Sequence, residues 1–394
     1  MTLNFQQVRE QVQQLGETAL RERHDLEDRQ QQAWDLLTGD AIDPNFLRQK
    51  ISEVVGHDPS LRCAVPCDEP LVSSIACNTQ ITQGTVMAAD GSQIMPDRHA
   101  EVLYALINTG LVSMQLGSGE APAITISSRL WYGEQLNLPS GMIPEPLLNL
   151  ERDLIERKAL AERAASAQPP VFTITDGPLE LWGPKESSSE EAREFQKRLS
   201  EYLAALQSLE KCQSIPAGYV DKPGANLVVR MLEVAIATPE AMQDMRNYRP
   251  LRGVSDAHLY KKLLLPGERS AVFGIQSSPA KNYTGSLSLH FFYLNVGRQD
   301  HPALARIEIP AWIAQDDSQV NALHAVLLAQ CRMLGNRPYP YLLHRAHETA
   351  LVNLSEKDQV TQMIIQELLK RGIEVGEKSQ KQGLKDQPGR TQWS

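Results

Sequence analysis

Two carboxylates in this chain sit where an apolar run meets a glycine. In VMAADGSQIMPDRHA, residues 86 to 100, a small apolar run breaks at Asp90-Gly91-Ser92 and resumes at Ile94. In VFTITDGPL, which begins at Val171, a fully apolar run ends on Asp176-Gly177. Carboxylates are the usual hard oxygen ligands of Mg²⁺ or Mn²⁺, and two or three must converge to hold one. Phosphodiester hydrolysis near neutral pH needs such ions, because water must be made acidic and a pentacovalent phosphate neutralised; two cations roughly 3.5 to 4 Å apart supply both. The glycines would let the backbone turn away so that a bulky phosphate could approach. Each Asp-Gly taken alone is also one of the commonest turn dipeptides. Two of them, ending two apolar strands on either side of a helix, point to chemistry more strongly than either does singly.

The elements that must position these residues follow from periodicity. From residue 86, VMAAD, VLYALINTGLVSMQL and PAITISSRLWY are β-rich runs separated by Gly, Ser and Asn, as consecutive antiparallel strands would be. IPEPLLNLERDLIERKALAERAASA, residues 143 to 167, opens with prolines and carries Leu147, Leu150, Leu154 and Ala161 at helical spacing. The strand ending at Asp176 follows. Next comes a second helix with Ser188 and Glu191 at capping-box spacing and Phe195, Leu199, Tyr202, Leu203 and Leu206 on its packed face. A short strand, AGYVD, leads into a helix within PGANLVVRMLEVA; after a less legible stretch to about 270, LSLHFFYLNV and LARIEIPAWIA read as strands. SQVNALHAVLLAQCRMLG and the run from Leu342 to Gly372 read as helical.

The order of three strands, helix, strand, helix, strand, helix matches the ribonuclease H topology. The expected fold class is therefore α/β: a ribonuclease H-like mixed sheet flanked by helices, with an N-terminal helical extension and C-terminal helices. In that topology the aspartates ending the first and fourth strands emerge side by side, and a glutamate from the intervening helix completes a cluster. The expected organisation is residues 1–80 as a helical extension with a connecting loop at 56–83, residues 81–375 as the nuclease-like domain, and residues 376–394 as a flexible polar tail. The helix over residues 5–38 carries only a thin apolar stripe, Val8, Val12, Leu15, Leu20, Trp34 and Leu37, suited to packing on its own domain or to serving as an arm for a partner.

Composition narrows the classes. The 394 residues suffice for one large domain or two. No apolar run approaches the roughly 18 residues that span a membrane, and the polar N-terminus lacks a signal peptide's apolar block, so a soluble cytoplasmic protein without membrane association is expected. Five scattered cysteines argue for reduced structural thiols rather than disulfides or a zinc site. A net charge of −9 gives no overall pull toward nucleic acid, so any polyanion site must be a local basic patch.

DGSQIMPDRH, TITDGPLEL, PGERSAVF, ARIEIPAWIA and RPYPYLLHRAHETA, occurring together and in this order along residues 85 to 385, resemble the NurA family of DNA repair nucleases, and the chain as a whole resembles cyanobacterial members. The resemblance implies a DNA nuclease with 5′ to 3′ exonuclease and single-strand endonuclease activity, dependent on Mn²⁺ or Mg²⁺. It implies a homodimer working with a HerA-type hexameric ATPase on double-strand break ends. Position by position, Asp90 matches the first metal-binding Asp, and Asp176 the second, although its turn reads Asp-Gly-Pro where many relatives have Asp-Gly-Ser. His347 matches a metal ligand or proton carrier, and Tyr339, opening the Tyr-Pro run, a group that orients substrate or water. Glu156 fits the family spacing for the helical glutamate, with Glu151 as its rival: at 100° per residue Glu156 lies roughly opposite the leucine stripe, which Glu151 flanks. His344 shares a helical face with His347 without metalloprotease spacing. Lys222 and Arg337 are candidate phosphate contacts, although a lone cation in a turn is more often only solvated. Two other classes stay open. One is a catalytically silent scaffold for a DNA-translocating ATPase; the other is a phosphate-ester hydrolase acting on small molecules in a closed pocket.

Overall fold

The computed structural model describes residues 3–39, 42–138, 141–183, 189–335 and 337–375. The polar tail expected at 376–394 and the capping residue Ser188 lie outside the described residues. The chain forms two compact units, one of residues 82–176, 181–216 and 340–394, the other of residues 1–81, 177–180 and 217–339.

In the first unit, three long strands, β1 (Gly84–Ile94), β2 (Tyr104–Leu116) and β3 (Ala123–Tyr132), run antiparallel in sequence order. Helix α1 (Glu145–Ala164) leads to strand β4 (Val171–Asp176), which lies parallel to β1 from Thr85↔Val171 to Ala89↔Thr175. The order β4-β1-β2-β3 is the expected ribonuclease H-like arrangement. The crossover through α1 makes the parallel pair possible, since a hairpin cannot join parallel strands.

Strand β1 does not end at its aspartate. Asp90 pairs with Gly110 and Gly91 with Thr109, and the ladder continues to Ile94↔Leu106. Gly91 therefore lies inside a strand, a position that marks a close approach by another element; that element is α1, whose Arg152 Cγ would lie 2.6 Å from a Cβ at residue 91. Gly177, by contrast, has φ of +87°, as a true turn after Asp176 requires.

Helix α1 buries Leu147, Leu148, Leu150, Leu154, Glu156, Arg157, Leu160, Ala161 and Ala164, a face wider than one stripe. The cause is helix α2 (Ser189–Lys211), which packs on α1 with Phe195, Leu199, Tyr202, Leu206 and Leu209 buried, so that α1 is sandwiched between sheet and helix. The C-terminal run is two helices. Helix α3 (Tyr341–Ala350) ends before Leu351, and Asn353 starts helix α4 (Leu354–Lys370) through a capping box: Glu356 N–H donates to Asn353 Oδ1 at 2.9 Å, and Asn353 N–H to Glu356 Oε2 at 2.8 Å. Helix α4 covers Ile94, Val102, Tyr104 and Leu106 with Val360, Ile364, Ile365 and Leu368, a small core of its own.

In the second unit, the strands Cys63–Pro66, Phe273–Gln276, Leu289–Asn295, Leu304–Pro310 and Ile215–Asp221 pair antiparallel in that order, and Ser74–Ala76 pairs with Glu268–Ser270. The segment expected as a connecting loop thus holds two strands of four and three residues, too short for alternation to register. The N-terminal helix is continuous from Phe5 to Thr38, yet of its stripe only Leu37 is buried, with Trp34 under the Lys262 ammonium at 4.0 Å. Among the described residues, no helix is long and apolar enough to cross a membrane.

Candidate active site

Asp90 and His347 meet although they are far apart in sequence. Helix α3 reaches β1 because β2 offers Gly110 beneath it: a Cβ there would lie 2.7 Å from the Ala346 carbonyl and 3.0 Å from the Ala350 amide. Asn108 on the same strand donates to the Ala350 carbonyl at 2.9 Å and fixes the helix end. The outcome is a 2.7 Å contact between His347 Nδ1 and Asp90 Oδ2, with the aspartate side chain 16% exposed and the imidazole 56%. An ionised carboxylate only accepts, so Nδ1 carries a proton, and in the neutral ring Nε2 is then the acceptor.

One turn of α1 brings three further charges beside Asp90. Arg152 Nη2 lies 3.1 Å from Asp153 Oδ1, and its Nε 3.4 Å from Glu156 Oε1. Glu156, only 5% exposed, has its carboxyl pushed well above the ordinary range, first by burial and then by repulsion from Asp153 and Asp90, with Arg152 and Arg157 opposing. Burial also raises Asp153, against the pull of Arg152. The missing Cβ of Gly91 leaves the room for this: Glu156 Oε1 would lie 2.8 Å from it.

Asp176 is one step beyond the Ala89↔Thr175 pair, so the parallel register sets it level with Asp90, at the exposed end of β4. Glu151 is engaged elsewhere, with Arg198 Nε at 2.8 Å and Arg129 at 3.7 Å, in an ion-pair group that ties α1 to α2 and β3. His344 pairs with Glu348 at 3.3 Å along its own helix. Tyr339, Lys222 and Arg337 belong to the other compact unit. There Tyr339 stands edge-on to Tyr219 with ring centroids 5.5 Å apart, Lys222 is exposed with φ of +44°, and Arg337 is exposed.

Asp90, Glu156 and His347 are thus brought together. Arg152 and Asp153 join them unforeseen. Their sequence signal was the Arg-Asp-x-x-Glu spacing, which places all three charges within one helical turn. As a donor set, carboxylates with one imidazole fit a hard divalent cation. Among the described residues, however, no three His, Cys, Asp or Glu side chains converge as a ready ligand shell. A thiolate site is disfavoured, since burial pushes the Cys63 and Cys331 thiols up to about 12 and that of Cys67 up to about 11.

Comparison with known proteins bears on this geometry. No curated protein sequence shows significant similarity. The NurA nuclease of Sulfolobus solfataricus superposes with a TM-score of 0.46 at 11% identity, over 83% of this chain and 92% of that one. Drosophila Piwi superposes with a TM-score of 0.31 at 10% identity, over 69% of this chain and 30% of that one. The NurA domain family model matches residues 84–352, which runs from β1 through α3 and takes in every residue of the Asp90 cluster. On that match, covering well over half of its length, the chain belongs to the NurA family.

Proposed function

We propose that this protein is a divalent-metal-dependent DNA nuclease of the NurA type, with 5′ to 3′ exonuclease and single-strand endonuclease activity. It would act as a homodimer in the cytoplasm, with a HerA-type hexameric ATPase, on double-strand break ends. Family membership supports the class. The observation that carries the reading is the Asp90–His347 contact beside the Glu156 and Asp153 carboxylates, a concentration of negative charge that a structural site would have no reason to keep.

Asp90, Glu156 and Asp176, with His347 completing or tuning the site, would hold Mn²⁺ or Mg²⁺. When bound, such a cation acidifies water and offsets the charge that builds on a phosphodiester under attack. The chain's own residues do the rest. Asp90 fixes the His347 tautomer, which leaves Nε2 able to take up and return a proton. Lys222 and Arg337 are assigned to phosphate contacts and Tyr339 to placing the strand.

The test is degradation of 5′-labelled and 3′-labelled single-stranded DNA with Mn²⁺ or with EDTA. Loss of the 5′ label as short products from the outset, with Mn²⁺ only, is the expected result; release from the 3′ label first would reverse the assigned polarity. A second reading, a silent ribonuclease H-like scaffold for the ATPase, is favoured by one finding, the lack of a converged ligand shell among the described residues. A folded protein that cleaves neither strand at any Mn²⁺ concentration would select it.

A further inference from the structure

Among the described residues, Arg152 is the cation paired directly with the Asp153 and Glu156 carboxylates, and its setting differs from that of the other arginines of α1 and α2. Arg157 is 1% exposed and donates to Thr175 Oγ1 at 2.7 Å, with its guanidinium 5.5 Å from the Tyr202 ring. Arg198 donates to both Glu151 and Glu194. Each is locked between elements. Among the described residues, Arg152 instead makes its ion pairs within its own helix, with Asp153 at 3.1 Å and Glu156 at 3.4 Å. Its stem crosses the backbone at Gly91, and its side chain remains 31% exposed, which gives the guanidinium a path into solvent.

We propose that Arg152 is a built-in competitor of the divalent cation: its guanidinium neutralises Asp153 and Glu156, and a cation that binds these carboxylates displaces it. The inference rests on the reading that the cluster takes a divalent cation. It adds Asp153 to the groups the cation meets, and it makes loading an exchange of one positive charge for another. A single-charged guanidinium held by two imperfect contacts yields to a doubly charged ion, because Coulomb attraction to the same carboxylates scales with charge. Without Arg152, the buried Glu156 would be left beside Asp153 and Asp90 with Arg157 as the remaining countercharge, which is costly. Arg152 thereby keeps the folded chain stable whenever cation is scarce, at the expense of affinity for it.

The experiment measures Mn²⁺ affinity by the loss of free-ion electron paramagnetic resonance signal, together with the thermal midpoint in EDTA, for the full chain and for Arg152→Gln and Arg152→Lys. Competition predicts that Arg152→Gln binds Mn²⁺ about tenfold more tightly, since the partly exposed Arg152–Asp153 pair is modest in strength. It also predicts a lower midpoint in EDTA that Mn²⁺ restores, with Arg152→Lys between the two. Equal or weaker Mn²⁺ binding by Arg152→Gln overturns the proposal and makes Arg152 a purely structural or substrate-facing residue. Absence of Mn²⁺ binding by both the wild type and Arg152→Gln overturns the cation reading itself. Should Arg152→Gln fail to fold, the double variant Arg152→Gln/Asp153→Asn, which also removes one repelling charge, carries the same comparison against Asp153→Asn.

Discussion

Glu156 shows how a residue's surroundings set its behaviour. Its carboxyl is raised above the roughly 4.3 of an unfolded chain, so across that window the folded state holds a proton that the unfolded state has lost. Stability contributed by this group must then fall as pH rises from about 4 toward the folded value, and it is unaffected below about 4, where both states are protonated. Glu156→Gln is expected to stabilise the protein in EDTA at neutral pH by on the order of 1 kcal/mol, with the gain vanishing below about pH 4. Urea midpoints measured across pH with both proteins check this. His347 carries a separate expectation. His347→Ala should lower turnover by roughly 10²-fold or more, the scale of a lost acid-base group, with little change in thermal midpoint because the ring is half exposed. At this scale the resemblance pointed to Asp90 and His347, and the structure sets them 2.7 Å apart. Arg152 and Asp153 were not legible, because charges on a helix ordinarily face water, and the gap left by Gly91, which draws the Arg152 stem against the sheet, has no sequence signal of its own.

Helix α3 delivers His347, and its distance from the sheet is set by Gly110. A methyl there meets backbone atoms of Ala346 and Ala350, which cannot give way as a flexible side chain would. Gly110→Ala is expected to push α3 outward, destabilise the protein by about 2 kcal/mol, and reduce cleavage although it removes no functional group. Unchanged activity with unchanged stability would show that α3 tolerates the shift. The strands and helices around the site were readable because each carries a long, clean period, as β2 and α1 do. What the periods hid was termination. The Asp90-Gly91 dipeptide looks like a turn, but pairing with β2 carries β1 through it. The run from Leu342 to Gly372 looks like one helix, but Asn353 restarts it. The leucine stripe of α1 set Glu156 on the outside; the structure buries it instead, with its carboxylate against β1 at Gly91.

At the scale of the molecule, residues 1–81 share a compact unit with 217–339, and their contribution is uneven. Val8, Val12, Leu15 and Leu20 are exposed, whereas Leu47, Ile51, Val54, Cys63 and Ala64 are buried. Removing residues 1–22 is therefore expected to leave the thermal midpoint within about 2 °C, while removal through 81 strips the helices Phe5–Thr38 and Pro44–His57 and two strands from that unit and should lower it by more than about 10 °C or abolish soluble expression. Thin periodicity in the first segment and very short strands in the second explain why sequence alone did not separate them. The account as a whole stands on Asp90, which joins β1, α1 and α3 at one point. Its most direct test is cleavage of end-labelled single-stranded DNA by wild type and Asp90→Ala side by side, in Mn²⁺ and in EDTA, with circular dichroism confirming that both are folded. The account predicts Mn²⁺-dependent degradation by the wild type and none by the variant. Equal degradation by the two proteins would contradict it.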